Sequence, residues 1–115
     1  MPRDLRTCLH DVMIAIGRIQ ELTSQETLET YKANWVMRAA VERQFEIVGE
    51  ALRRSVQIDE SVCEQVSDAS KIIAFRNQVI HGYDVIDNDT VWGIIERFVP
   101  TLLNDVTSLL QELSD

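Results

Sequence analysis

Asn34-Trp35-Val36-Met37-Arg38-Ala39-Ala40-Val41-Glu42-Arg43-Gln44-Phe45-Glu46-Ile47-Val48-Gly49-Glu50-Ala51-Leu52-Arg53-Arg54-Ser55-Val56 is the longest uninterrupted periodic stretch in this chain, and its reading decides the fold. Met37, Val41, Phe45, Val48 and Leu52 fall on one stripe, with Ala40, Ile47 and Ala51 beside it, so residues 34–56 read as one long amphipathic helix. Ala39, Ala40, Gly49 and Ala51 are small enough to let a neighbouring helix approach closely. Arg38, Glu42, Arg43, Glu46, Glu50, Arg53 and Arg54 make the opposite side, which reads as a charged outer face of solvated pairs, Glu42 and Glu46 opposed by Arg38 and Arg43.

The same period extends in both directions. Upstream, Leu5, Leu9, Val12, Ile16 and Ile19 give a helix over about residues 4–22. Residues 23–26 have the S/T-x-x-E form of a capping box ahead of a short segment with Leu28 and Tyr31 on its apolar side. Downstream, residues 57–60 read as a loop, with Asp59 as a cap for a short turn containing Val62, Cys63 and Val66. Ser67 or Asp68 then caps a helix over residues 71–81, where Ile72, Phe75 and Val79 recur with Ile73 and Ile80 beside them, and Gly82 suits its left-handed close. Residues 84–89 are acidic and turn-like, with Asp87, Asn88 and Asp89 as N-cap candidates. A last helix starts near Thr90 and carries Val91, Ile95, Phe98, Leu102, Leu109 and Leu113; Pro100 interrupts it with a kink or a fresh start. Past Pro100, Leu102, Leu103, Val106, Leu109 and Leu110 form an apolar face wide enough for the core and a partner. The sum is an all-α antiparallel bundle of four main helices and one or two short ones, a single domain over residues 1–115.

Composition narrows the function. With 45% hydrophobic residues and few glycines and prolines, the chain is globular and helical. No apolar run approaches the roughly 20 residues that cross a membrane. Asp4, Arg6, His10 and Asp11 interrupt any signal-peptide core, so a cytoplasmic location is expected. Cys8, Cys63, His10 and His81 lack metal-ligand spacing, so no metal site or cofactor is expected and both cysteines read as small buried hydrophobes. A net charge of -8 opposes binding to a phosphate polymer unless a local basic patch exists.

The most specific spacing is Arg76-Asn77-Gln78-Val79-Ile80-His81-Gly82-Tyr83. At about 100° per residue, Asn77 and His81 lie on one side of their helix with Arg76 flanking them, and Tyr83 follows the glycine. A cation, an amide, an imidazole and a phenol are thus gathered at one helix terminus. The plain account is that such groups are solvated or satisfy a helix C-terminus, with Tyr83 capping a core.

Arg76-Asn77-x-x-x-His81-x-Tyr83 resembles the R-x4-H-x-Y signature of the HEPN superfamily, in particular the HepT toxins of prokaryotic HepT/MntA toxin-antitoxin pairs. Residues 40–51 look like that family's long second helix, and Val85-Ile86-Asp87 followed by Val91-Trp92 look like its segment after the motif. The resemblance implies a four- or five-helix up-and-down bundle that forms a homodimer with two copies of the motif facing each other. It implies a metal-independent endoribonuclease, the toxin of a type VII-like system, acting on an RNA substrate. Arg76 and His81 match the paired catalytic positions, and Asn77 matches the polar residue beside the arginine. Tyr83 matches the tyrosine to which an MntA-type nucleotidyltransferase antitoxin adds AMP, silencing the toxin.

The residue chemistry permits this. RNA contains its own nucleophile, the 2′-hydroxyl, so the protein need only move a proton and stabilise charge growing on phosphorus. Histidine, with an ordinary pKa of about 6.5, suits proton transfer near neutrality, and the arginine fork matches phosphate oxygens. Two motifs across a twofold axis would put two arginines and two histidines in one groove, together with Arg38, Arg43 or Arg53, and so create a local positive field on an acidic protein. A different class of protein, a non-catalytic module that docks to a nucleotidyltransferase, uses the same surface without cleaving RNA.

Overall fold

Helix-forming periodicity carries through to the computed structural model, which describes residues 4–81 and 87–114 and has only helices among its regular elements. The first, α1 (Leu5–Thr23), begins where the Asp4 carboxylate accepts from the Thr7 backbone N–H at 2.8 Å. A short α2 (Leu28–Ala33) leads to α3 (Trp35–Ile58), whose start is capped by Asn34 accepting from the Met37 N–H. At 24 residues, α3 is about 36 Å long, and it is the axle of the molecule: it packs most extensively against α1 on one side and α5 (Ala69–His81) on the other. One turn, α4 (Val62–Gln65), joins α3 to α5. Then α6 (Asn88–Arg97) and α7 (Val99–Ser114) close the bundle, α7 lying along α1.

The five residues that define the α3 stripe, Met37, Val41, Phe45, Val48 and Leu52, are all buried, as are Leu9, Val12, Ile16 and Ile19 of α1. Phe45 meets Phe75 of α5 edge to face, with ring centroids 5.2 Å apart. Val99, Leu102, Val106 and Leu109 supply the α7 side of the same core. The Arg6 guanidinium donates to the Leu113 carbonyl at 2.7 Å, tying the start of α1 to the end of α7, so these two helices run in opposite directions. No described helix is long and apolar enough to cross a membrane.

Several local expectations shift. The capping box sits one turn later than residues 23–26: Thr27 and Thr30 cap each other reciprocally, and Thr23 instead ends α1, buried, with its hydroxyl donating back to the Ile19 carbonyl. A threonine can bond its own helix as well as cap the next, and burial selects the first. Asp59 closes α3, and its carboxylate accepts from both the N–H and the hydroxyl of Ser61, so it shapes the turn before α4. Asp68, with φ of 64°, precedes α5 and pairs with Lys71 through its side chain. Pro100 marks a fresh start: α6 ends at Arg97, α7 begins at Val99, and the proline falls in the first turn, where no N–H is needed. Cys8 is buried, but Cys63 is exposed on α4 because the turn points Val62 inward instead.

Candidate functional site

The site is built where α5 crosses α3. Gly49 makes the crossing close: a Cβ placed there would lie 2.1 Å from Cβ and 2.5 Å from Cγ of Arg76. The aliphatic stem of Arg76 therefore rests directly on the α3 backbone, and its side chain is only 22% exposed. The close approach expected of the small residues on α3 thus falls on the arginine of the motif.

From that seat the guanidinium is held at both ends. Its Nη1 donates to the Asn77 Oδ1 at 3.0 Å, and its Nη2 pairs with the Glu50 Oε2 at 2.9 Å. Glu50 is itself gripped by its own helix. Arg53 reaches it through Nη2 at 2.7 Å and Nε at 3.2 Å, and Arg54 through Nε at 3.0 Å. The hydrogen bonds from Arg53, then those from Arg54, and the field of Arg53 and Arg76 outweigh partial burial and hold the Glu50 carboxyl well below the ordinary carboxylate range, at about 2. The Nε of Arg76 is buried without a partner.

Beside this cluster lies a cavity of about 280 Å³ between α1, α3 and α5, lined in part by Arg43, Arg54 and Arg76 and by Asp11, Glu46 and Glu50. Its formal charges balance, so on a chain of net charge -8 it is a neutral island in an acidic surface. Of the extra arginines expected near the site, Arg43 lines the cavity, paired with Glu46 at 3.0 Å, and Arg53 joins the Glu50 cluster. Arg38 does not take part: it donates to the Lys32 carbonyl at the far end of α3. Arg54 and Glu50 were readable only as surface charges, since the i+3 and i+4 spacing from Glu50 to Arg53 and Arg54 gives the intrahelical grip but not the crossing to Arg76.

His81 is the last residue of α5, one turn after Asn77 on the same helix. The expected glycine close at Gly82 and the expected modification site Tyr83 lie outside the described residues, as do Val85 and Ile86. Asp87 does cap α6, its carboxylate accepting from the Asp89 N–H and the Thr90 hydroxyl. Among the described residues, no group of three or more histidine, cysteine, aspartate or glutamate side chains is placed to hold a metal ion.

Glu50 offers a direct check on this geometry. A carboxyl with a depressed folded-state pKa contributes stability that is fully present above its ordinary value of 4.5 and is lost as pH falls through that value toward about 2. Thermal unfolding followed between pH 6 and pH 2 is therefore expected to fall less steeply for Glu50→Gln than for the unaltered protein. Parallel slopes would mean that the three-arginine grip is absent in solution.

Fold and site together define an all-helical bundle in which an arginine of one helix is seated against a glutamate of the helix it crosses. More narrowly, the chain belongs to the Ribonuclease HepT-like family, whose model matches residues 13–109. It is 29% identical over 106 residues to the Methanocaldococcus jannaschii protein named "Putative RNase MJ1380", covering 90% of this chain and 94% of that protein. A second protein of that organism, "Putative RNase MJ0125", is 24% identical over 115 residues, covering 98% of this chain and 97% of the relative. The Thermococcus cleftensis "Probable ribonuclease HepT" is 26% identical over 102 residues, covering 89% and 92% respectively. No solved structure matches the chain significantly.

Proposed function

We propose that this protein is a metal-independent endoribonuclease, the toxin of a toxin-antitoxin pair, that cuts RNA with Arg76 and His81 at the interface of a homodimer. The observation that carries the reading is the Arg76 guanidinium held by Glu50 and Asn77 beside a polar cavity. Family membership and relatives named as ribonucleases support the substrate class.

In the proposed reaction the 2′-oxygen attacks the adjacent phosphorus, its proton passes to a base, and the bond from phosphorus to the 5′-oxygen breaks as that oxygen gains a proton. The products are a 2′,3′-cyclic phosphate and a 5′-hydroxyl. His81 of each copy moves a proton, so that two imidazoles share the acid and base roles. Arg76 binds the phosphate oxygens as charge develops on them, the kind of electrostatic assistance that is worth most in a water-poor site. Asn77 accepts from one terminal nitrogen of that guanidinium. The neutral island matters here, because a second copy brings a second set of arginines to the groove without adding net negative charge.

Silencing is read from the place of Tyr83 in the sequence. A nucleotidyltransferase antitoxin transfers AMP from ATP to the Tyr83 phenolic oxygen, releasing pyrophosphate. Tyr83 is two residues beyond His81, so the adenylate would add bulk and negative charge beside the proton-transfer group and repel RNA.

Co-expression with such a nucleotidyltransferase, followed by intact-mass measurement and RNA cleavage assays, tests the reading. The expected result is cleavage by the unmodified protein in the presence of EDTA, a mass gain of one or more adenylates after co-expression with loss of cleavage, and no mass gain for Tyr83→Phe. A stoichiometric complex with the nucleotidyltransferase, combined with no cleavage under any condition, would instead identify a docking module.

A further inference from the structure

The Arg76 guanidinium carries five N–H groups, and the described contacts account for them unevenly. One on Nη1 goes to Asn77, Nη2 lies 2.9 Å from the Glu50 carboxylate as an ion pair, and Nε is buried without a partner. The stem cannot swing, because it lies against α3 at Gly49. What remains to be fixed is rotation of the fork about its own stem, and the contact that fixes it from another helix is Glu50. Glu50 is suited to this task because it does not move either: Arg53 and Arg54 clamp its carboxylate from the next turn of α3.

We propose that Glu50 is a positioning residue that, through its ion pair with Nη2, sets the plane in which the Arg76 guanidinium meets a scissile phosphate. The inference rests on the ribonuclease reading above for its substrate, but the Glu50–Arg76 coupling itself does not. The charge balance fits. One carboxylate among Arg53, Arg54 and Arg76 leaves these four groups locally positive, and Asp11 and Glu46 on the adjoining cavity wall bring the cavity lining to neutrality, so Arg76 meets an approaching phosphate without the repulsion of the acidic surface around it.

This assigns Glu50 a kinetic signature that a merely structural carboxylate would not have. Glu50→Gln keeps the shape but removes the charge that holds Arg76, so the cluster becomes more positive and the fork less ordered. Turnover is expected to fall about tenfold to a hundredfold, the range seen when a reacting group is misplaced by around an ångström, while KM stays level or decreases. Glu50→Asp, which keeps the charge but withdraws it by one methylene, should recover part of the lost turnover. Helical content and oligomeric state should match the unaltered protein in both variants.

A second readout does not depend on cleavage. In nitrogen-15 spectra of the guanidinium groups, the Arg76 terminal nitrogens should rotate slowly in the unaltered protein and freely in Glu50→Gln, with Arg76→Lys used to assign the signals. Wild-type kcat and KM in Glu50→Gln, or unaltered Arg76 rotation in that variant, would overturn the proposal. Changed rotation in a protein that cuts no RNA would preserve the coupling and discard the ribonuclease reading alone.

Discussion

Arg76→Ala is expected to lose RNA cleavage by at least about a hundredfold while keeping its helical content, because removing one charge-stabilising donor from a catalytic site costs about 10² to 10³ in rate. The fold should survive for a specific reason. Deleting one partner of a half-buried ion pair is destructive when the other charge is left unpaired, but Glu50 retains Arg53 and Arg54. Arg76→Lys should recover little activity, since an ammonium supplies charge without the planar fork that Asn77 and Glu50 hold. Cleavage rates on a synthetic RNA and far-ultraviolet circular dichroism on the same preparations check both halves of this expectation. Cleavage at the wild-type rate by Arg76→Ala would remove the guanidinium from the mechanism.

The second large effect is expected at Gly49, which chemistry alone would leave unnoticed. Exchanging glycine for alanine inside a helix ordinarily stabilises by up to about 1 kcal/mol. Here the new methyl would sit 2.1 Å from the Arg76 Cβ, a stem atom that cannot rotate away, so α5 itself must shift from α3. Overpacking of this kind costs typically about 1 to 3 kcal/mol, and the displacement also carries Arg76 away from Glu50. Gly49→Ala should therefore lose both stability and cleavage. Adding Arg76→Ala should not restore the stability, because the clashing Cβ remains. Gly17→Ala is the matched control: nothing lies within 4 Å of that position on an exposed part of α1, so it should stabilise slightly. Urea denaturation of the four proteins distinguishes these outcomes, and a Gly49→Ala protein as stable as Gly17→Ala would contradict the close crossing.

Much of this was legible in the sequence, for physical reasons. Helical periodicity is a local property, so the stripe from Met37 to Leu52 and those of α1 and α7 could be read from spacing alone; the α3 stripe is wholly buried, while Leu5, Leu103, Leu110 and Leu113 at the margins of the other two are partly so. Asn34 and Asp87 were recoverable as helix boundaries because a short polar side chain before an apolar run has few other uses. Thr23 failed for the converse reason, since its hydroxyl had two partners available and burial decided between them. The site was half legible. The Arg76, Asn77 and His81 spacing lies on one helix, but the Glu50 contact spans 26 positions of sequence, and no single-helix pattern encodes it. The seven charged residues of α3 look alike in sequence, and only the crossing at Gly49 distinguishes Glu50 from Glu42 or Glu46.

Cleavage of one defined RNA by the purified protein and by His81→Ala, at equal concentration and in EDTA, bears most directly on whether Arg76 and His81 form the cutting site. The expected result is specific cutting by the unaltered chain and a loss of about 10² to 10⁴ in His81→Ala, the contribution typical of a positioned proton-transfer group. Equal cutting by both proteins would show that the activity resides elsewhere and would refute the proposed mechanism.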